Sequence, residues 1–134
     1  MTAMTANGTM AVEISTAFPI SITLSTDLID GIRVINVGGE VDVYTAQSLI
    51  ELIQQEIADG QHRLILDLSG IDFIDVHGLG TITGIYKRLQ EHNGQLRLAG
   101  ITPRLQRIFE VIGLDKIFVC LPDVHAAASH LLAN

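Results

Sequence analysis

The sequence contains no tryptophan, a single cysteine and few aromatic residues. Phe and Tyr together make up 4% of the 134 residues, while hydrophobic residues make up 48%, so the core has to be aliphatic. The lone cysteine, Cys120, excludes an internal disulfide and a cysteine-rich zinc site. No apolar run approaches the roughly 18–20 residues that span a bilayer, and the N-terminus is unlike a secretory signal. We therefore expect one domain in the cytoplasm, without membrane insertion.

Basic residues are also scarce. Eight Lys and Arg residues face 15 Asp and Glu residues, for a net charge of −7, which argues against binding to nucleic acid. The acidic charge lies mainly in residues 1–75, which hold 11 acidic and 2 basic side chains. This half is a candidate face for a basic protein partner; the alternative is ordinary solubilising surface charge.

Hydrophobic periodicity predicts one α/β domain at residues 18–134, preceded by a flexible tail at residues 1–17. Alternation from Ile20 to Leu24 and a second apolar stretch at 32–37 predict a hairpin around Asp30-Gly31. Further strands are predicted near 64–68, 96–98 and 116–120, and helices near 46–57, 78–89, 102–112 and 122–131. The order β-β-α-β-α-β-α-β-α indicates a mixed, mostly parallel sheet with about four helices packed against it.

Signals for catalysis or for a metal are weak. His125 and His130 lie five residues apart on the last predicted helix, which is not the three- or four-residue spacing of a helical metal pair. The remaining histidines are scattered: His62, His77 and His92. Ser69 has no Gly-x-Ser-x-Gly frame around it. We therefore predict no enzyme activity, no catalytic residues, no metal and no cofactor.

Two short patterns have competing interpretations. Glycines 78, 80 and 84 resemble a dinucleotide-binding turn, but the third glycine comes one residue late and Ser69–His77 separate the glycines from the predicted strand. Close helix packing and an exposed loop are the alternative. Asp67, Asp72 and Asp75 could indicate acid–base chemistry or a cation site, but Asp75 is better placed as a helix N-cap.

A resemblance to the STAS family comes from several segments in the right order. The stretch 66–80 (LDLSGIDFIDVHGLG) resembles the signature of anti-sigma-factor antagonists, an apolar strand followed by Phe-x-Asp-Ser-Ser/Thr-Gly-Leu-Gly. Residues 39–46 (GEVDVYTA) resemble the family's Gly-Glu-Leu-Asp-x-x-Thr-Ala start of the first helix. Together with segments 86–88, 94–98, 102–103 and 113–118, the resemblance covers about residues 20–133.

The resemblance implies a partner-switching regulator. Such antagonists bind an anti-sigma factor, usually a serine kinase with a histidine-kinase-like ATPase fold, and so release a sigma factor. The kinase phosphorylates the serine after the motif aspartate. Here that position is Val76, followed by His77, so the usual phosphorylation cannot occur. We hypothesise an antagonist that is not switched at this residue; Thr81 and Thr83 are the weaker alternative acceptors.

The predicted partner-binding surface joins two segments that follow neighbouring parallel strands, where open α/β sheets carry their functional loops. It comprises Glu40, Asp42, Thr45, Asp75, Val76, His77, Gly78 and Leu79. Two other roles stay open: a scaffold or subunit in a larger regulatory or transport complex, and a module that binds a small ligand or nucleotide. The sequence also leaves open a homodimer, and whether Val76 is exposed or anchors a buried loop.

Overall fold

A mixed β-sheet with helices on both faces organises the chain. The computed structural model describes residues 2–4, 10–15 and 21–133. Within these ranges lie seven strands, four α-helices and the 3₁₀ helix Leu114–Lys116: β1 Thr2–Met4, β2 Met10–Ser15, β3 Ser21–Ile29, β4 Ile32–Val41, α1 Ala46–Ala58, β5 Arg63–Ile74, α2 Val76–Glu91, β6 Gln95–Ala99, α3 Pro103–Ile112, β7 Cys120–Leu121 and α4 Val124–Leu132.

The strands follow one another across the sheet in chain order. Strands β1 to β4 are antiparallel neighbours, whereas the pairs β4–β5, β5–β6 and β6–β7 are parallel. Each parallel step needs a connection that crosses one face of the sheet, and helices α1, α2 and α3 lie in these connections. The predicted α/β class and the element order from β3 onward are confirmed.

The N-terminal prediction needs a correction. We expected a flexible tail over residues 1–17, but residues 2–4 and 10–15 form strands, and β2 pairs with β3 from Ala11↔Ser25 to Ser15↔Ser21. Main-chain pairing with an exposed strand edge does not require side-chain alternation, which is why the pattern missed these strands. Ile20, which we assigned to the first predicted strand, lies outside the described residues.

The sheet separates two hydrophobic clusters. The larger lies under helices α1, α2 and α3, where Leu49, Ile82 and Phe109 pack onto alternate residues of the central strands. The smaller lies under α4, with Ala127 and Leu131 against the opposite face. Because β5 is covered on both faces, its residues 64–66 are all fully buried, as the continuous apolar run predicts.

Several element boundaries differ from the prediction. Strand β5 continues beyond Leu68 to Ile74, and α2 starts at Val76 rather than at Gly78. The predicted strand 116–120 is mostly the end of the 3₁₀ helix and a loop, since only Cys120 and Leu121 pair with β6. Helix α4 begins after an Asp123 cap rather than at Pro122.

Candidate protein-docking surface

The two segments predicted to bind a partner lie side by side at one edge of the sheet. Val41 at the end of β4 pairs with Ile74 at the end of β5. The main-chain N–H of Asp75 donates to the carbonyl of Val41 at 3.2 Å, which joins the start of α2 to the end of β4. The β4–α1 loop, residues 42–45, and the turn into α2 therefore meet where functional loops of α/β sheets gather.

The β4–α1 loop is held by its own polar side chains. Asp42 and Thr45 are buried, with 7% and 0% of their surface exposed. The Asp42 carboxylate accepts from the main-chain N–H groups of Tyr44 and Thr45 at 2.9 and 3.0 Å. The Thr45 hydroxyl donates to the Glu40 carbonyl at 2.7 Å and accepts from the Asp42 N–H at 3.0 Å. These two side chains shape the loop, because buried polar groups need such partners.

This geometry corrects the predicted surface at Asp42 and Thr45. Their hydrogen bonds are made inside the loop, and neither side chain is exposed at the surface. Thr45 occupies the N-cap position of α1, but it makes no side-chain cap hydrogen bond. The loop instead presents Val43 and Tyr44, which are 55% and 65% exposed. Sequence reasoning missed both because it assigned solvent contact to the polar residues of the segment.

Removing the Asp42 carboxylate, which accepts two hydrogen bonds within the loop, should therefore destabilise the fold. We expect Asp42→Ala to lower the free energy of unfolding by about 2 kcal/mol, because the buried N–H of Thr45 and the partly buried N–H of Tyr44 lose their acceptor. Asp42→Asn keeps an oxygen acceptor, and its effect should stay below about 1 kcal/mol. Urea unfolding of both variants measures the difference. Equal losses for alanine and asparagine would contradict the assigned hydrogen-bonding role.

The turn into α2 exposes the side chain of Val76. Asp75 is the N-cap, and its carboxylate accepts from the Gly78 N–H at 3.0 Å, as the sequence predicts. Val76, the first helical residue, is 77% exposed, and His77 is also exposed. The alternative interpretation of Val76 as a buried loop anchor is therefore wrong. Val76 is therefore accessible at the surface of this turn.

Gly78 and Leu79 lie beneath this turn and do not contribute surface. Leu79 is 8% exposed and belongs to the larger cluster. A Cβ atom on Gly78 would lie 2.5 Å from Cγ1 of Ile74 and 2.6 Å from the carbonyl oxygen of Val41. The glycine thus permits α2 to approach the ends of β4 and β5 closely, and both residues hold the turn in place from inside.

The structure does not contain the dinucleotide-binding turn that glycines 78, 80 and 84 resemble in the sequence. Gly78, Gly80 and Gly84 all lie within α2, not in a loop before it, and the space at Gly78 is filled by protein. Gly80 and Gly84 have open space where a Cβ would be. They border a groove of about 420 Å³ between α1 and α2, whose walls include Ile50, Val76 and Arg88. Sequence reasoning did not predict this groove.

The hydroxyls of Thr81 and Thr83 are engaged within α2. Thr81 donates to the carbonyl of His77 at 2.9 Å, and Thr83 donates to that of Leu79 at 3.0 Å. Their placement on the helix is as expected. Both hydroxyls are therefore hydrogen-bonded to the main chain of the helix, whereas position 76 lies at its exposed start.

Other reactive side chains lie apart from this edge. Burial, with a smaller contribution from Asp115, raises the pKa of the Cys120 thiol to about 11, so that it is not a thiolate near neutral pH. The His62 and His92 rings are 5.1 Å apart, a pair that the sequence did not reveal. Within the described residues, no three metal-ligating side chains come together.

We define the docking surface by exposed or partly exposed side chains at this edge. It comprises Glu40, Val43, Tyr44, Phe73, Asp75, Val76 and His77. Phe73, which pairs in register with Glu40, is 43% exposed and was absent from the predicted set. The surface combines four exposed apolar side chains with the carboxylates of Glu40 and Asp75, a composition suited to contact with another protein.

Comparison with known proteins identifies the family. The sequence profile of the STAS domain matches residues 23–127. An anti-sigma-B factor antagonist of Staphylococcus aureus (strain NCTC 8325 / PS 47) is 32% identical over 98 residues, which are 73% of this chain and 91% of that protein. No described helix is long and apolar enough to cross a membrane.

Solved structures agree with this match. The crystal structure of an anti-sigma factor antagonist from Mycobacterium paratuberculosis is 31% identical, with a TM-score of 0.75 over 86% of this chain and 97% of that chain. The phosphorylated form of SpoIIAA, a Bacillus cell fate determinant, shares the fold with a TM-score of 0.65 at 20% identity, over 81% of this chain and 98% of that one. From its profile match and its relatives above 30% identity, this chain belongs to the STAS domain family.

Proposed function

We propose that this protein is an anti-sigma factor antagonist, a binding protein without catalytic activity that acts in the cytoplasm. It captures an anti-sigma factor and thereby frees a sigma factor. Two anti-sigma factor antagonists are 31% and 32% identical to this chain, which matches 97% and 91% of their lengths. A role shared by relatives that match along nearly their whole length supports the same role for this chain.

The observation that carries the proposal is Val76, which is 77% exposed at the first helical position of α2. Exposed valine, tyrosine and phenylalanine lose unfavourable contact with water when a partner covers them, at about 25 cal/mol per Å² of apolar surface. Glu40 and Asp75 add negative charge around them, which favours a basic partner surface.

The finer part of the proposal concerns regulation. In the STAS signature, Val76 occupies the phosphoacceptor position, and its side chain has no oxygen for a phosphoryl group. A phosphate would add a charge of about −1.5 to −2 and prevent docking of an apolar patch. We propose that the partner is a serine kinase of the histidine-kinase-like ATPase fold, and that this antagonist is not inactivated by phosphorylation at position 76.

Co-elution tests the proposed partner. Each candidate anti-sigma factor from the same genome would be mixed with the purified protein and run on size-exclusion chromatography. We expect one of them to form a complex, and a cognate sigma factor bound beforehand should be released. If the whole set of anti-sigma factors fails to bind at micromolar concentrations, the proposal is wrong.

A labelling experiment tests the regulation. With the partner kinase and radiolabelled ATP, we expect the wild type to remain unlabelled and Val76→Ser to gain one phosphoryl group per chain. The serine would stand on the same exposed turn, directly after the Asp75 cap. Val76→Ala, which also lacks a hydroxyl, is the matched control. Label on the wild type at Thr81, Thr83 or His77 would contradict the proposal.

A small ligand is a second candidate because of the groove between α1 and α2. Its volume of about 420 Å³ is of the size that holds small molecules, and both Val76 and His77 line it. Arg88, also in its wall, would pair with an anionic group. Calorimetric titration with ATP and GTP in the absence of protein partners tests this role. Saturable binding that Arg88→Ala abolishes would support it, and no heat of binding would exclude these nucleotides.

A further inference from the structure

The second half of β5 has a strand neighbour on one side only. β5 extends to Ile74 and pairs with β4 along most of its length. On the other side, β6 pairs only with residues 63–67 of β5, because β6 ends at Ala99 and the chain turns away at Gly100. Within the described residues, residues 68–74 therefore form a free strand edge.

The main-chain groups at this edge point outward. The N–H of Asp75 donates to Val41 of β4, and main-chain groups along a strand alternate between its two sides. The register with β4 is continuous from Phe73 to Ile74, so by this alternation the N–H and C=O groups of Ile74 face away from β4. No strand in the described chain pairs with them there. An open row of donors and acceptors is a template for pairing with another strand.

A groove runs beside this edge, walled by α3. It has a volume of about 280 Å³, and Ile71, Phe73, Leu105 and Ile108 give it apolar walls. The outer side of α3 continues the apolar surface with Val111, which is 84% exposed. A strand added to the edge would lay its side chains against these residues.

The charges of the groove indicate what occupies it. Asp72 and Arg104 both line it and are both exposed, and the ion pair found in the described chain, between Arg33 and Glu56, involves neither of them. A surface that carries both an unpaired acid and an unpaired base is complementary to itself. A two-fold interface requires this property, since the acid of each copy then contacts the base of the other.

We infer that the free edge of β5 is a dimerisation surface. The edge segment of a second copy adds antiparallel to that of the first, in a register offset from residue 72 so that Asp72 of each copy faces Arg104 of the other and not its own equivalent. The net charge of −7 per chain opposes this association, so the dimer forms in a concentration-dependent equilibrium. The inference needs no other protein and does not rest on the proposed function, although Phe73 belongs both to the docking surface and to this groove.

Sedimentation equilibrium with charge-reversed variants tests the inference. We expect the mass of the wild type to rise from 14.5 kDa toward twice that value as protein concentration increases into the millimolar range. Asp72→Arg and Arg104→Asp should each weaken dimerisation at least about tenfold, because like charges then oppose each other. The double variant should regain it. Glu91→Arg changes the net charge by the same amount as Asp72→Arg, but at the C-terminal end of α2. This control variant should dimerise like the wild type.

Hydrogen exchange measured by NMR adds a direct test of strand pairing. The amide of Ile74 should exchange more slowly at high than at low protein concentration, whereas exposed amides outside the edge should not change. Circular dichroism of each variant confirms its folding. A wild type that stays monomeric, a double variant that does not regain dimerisation, or a dimer with an unprotected Ile74 amide would overturn the inference. If the wild type stays monomeric and Asp72→Arg binds the anti-sigma factor more weakly than the wild type does, the edge is part of the interface with the anti-sigma factor instead.

Discussion

Alanine at position 78 should destabilise the domain by about 2–3 kcal/mol, whereas alanine at position 80 should stabilise it by about 0.5–1 kcal/mol. The added Cβ at Gly78 would overlap the carbonyl oxygen of Val41, which is main chain and cannot rotate away. Gly80 lies two residues further along the same helix and has nothing within 4 Å of the Cβ position. There, alanine only reduces the conformational freedom of the unfolded chain.

Because the two alanine substitutions should change the free energy of unfolding in opposite directions, together they test how closely residues pack beneath the docking surface. Chemical denaturation monitored by circular dichroism gives the free energy of unfolding for both variants. Because both substitutions add the same methyl group to the same helix, helix propensity alone predicts stabilisation in both cases. Stabilisation by Gly78→Ala would show that α2 does not approach β4 and β5 as closely as described.

A carboxylate at position 76 should weaken anti-sigma factor binding at least about 100-fold, which corresponds to roughly 2.7 kcal/mol. Val76→Asp replaces an exposed apolar contact by a charge that the interface would have to desolvate. The variant should fold as well as the wild type, because an acidic residue in the first turn of α2 interacts favourably with the helix dipole. The loss of affinity would therefore reflect the interface and not the fold.

Two control variants are titrated with the anti-sigma factor that co-elutes with the wild type. They show whether the loss of affinity is specific to a charge at position 76. Val76→Ser introduces a small neutral side chain and should cost less than about tenfold in affinity. Leu28→Asp places the same charge on another exposed apolar residue, 57% exposed and near the β3–β4 turn at the opposite end of β4. It should leave binding unchanged. If Val76→Asp binds as tightly as the wild type, the docking surface does not include position 76.

Local sequence signals predicted the framework of the protein well. Asp75 and Thr102 cap helices α2 and α3 through their side chains, and Gly113 ends α3 in the left-handed conformation. These features depend on residues close together in the chain, so they can be inferred from spacing. Burial of β5 on both faces follows in the same way from its continuous apolar run.

The site was predicted only in part because exposure depends on distant residues. Asp42 and Thr45 resembled a polar contact surface, yet they are buried because the loop folds its own N–H groups around them. Val43 and Tyr44 were absent from the predicted surface, yet they face solvent. Phe73 was missed because the length of β5 beyond β6 cannot be inferred from its hydrophobic pattern.

The order of residues alone determined the α/β class, the succession of elements, and the absence of a hydroxyl at position 76. These properties are covalent or depend on neighbours within a few positions. Tertiary structure decided which side chains of the two loops reach solvent, why position 78 must be glycine, and that β5 keeps a free edge. All three arise where segments far apart in the chain come within van der Waals or hydrogen-bonding distance, and no local pattern records such distances.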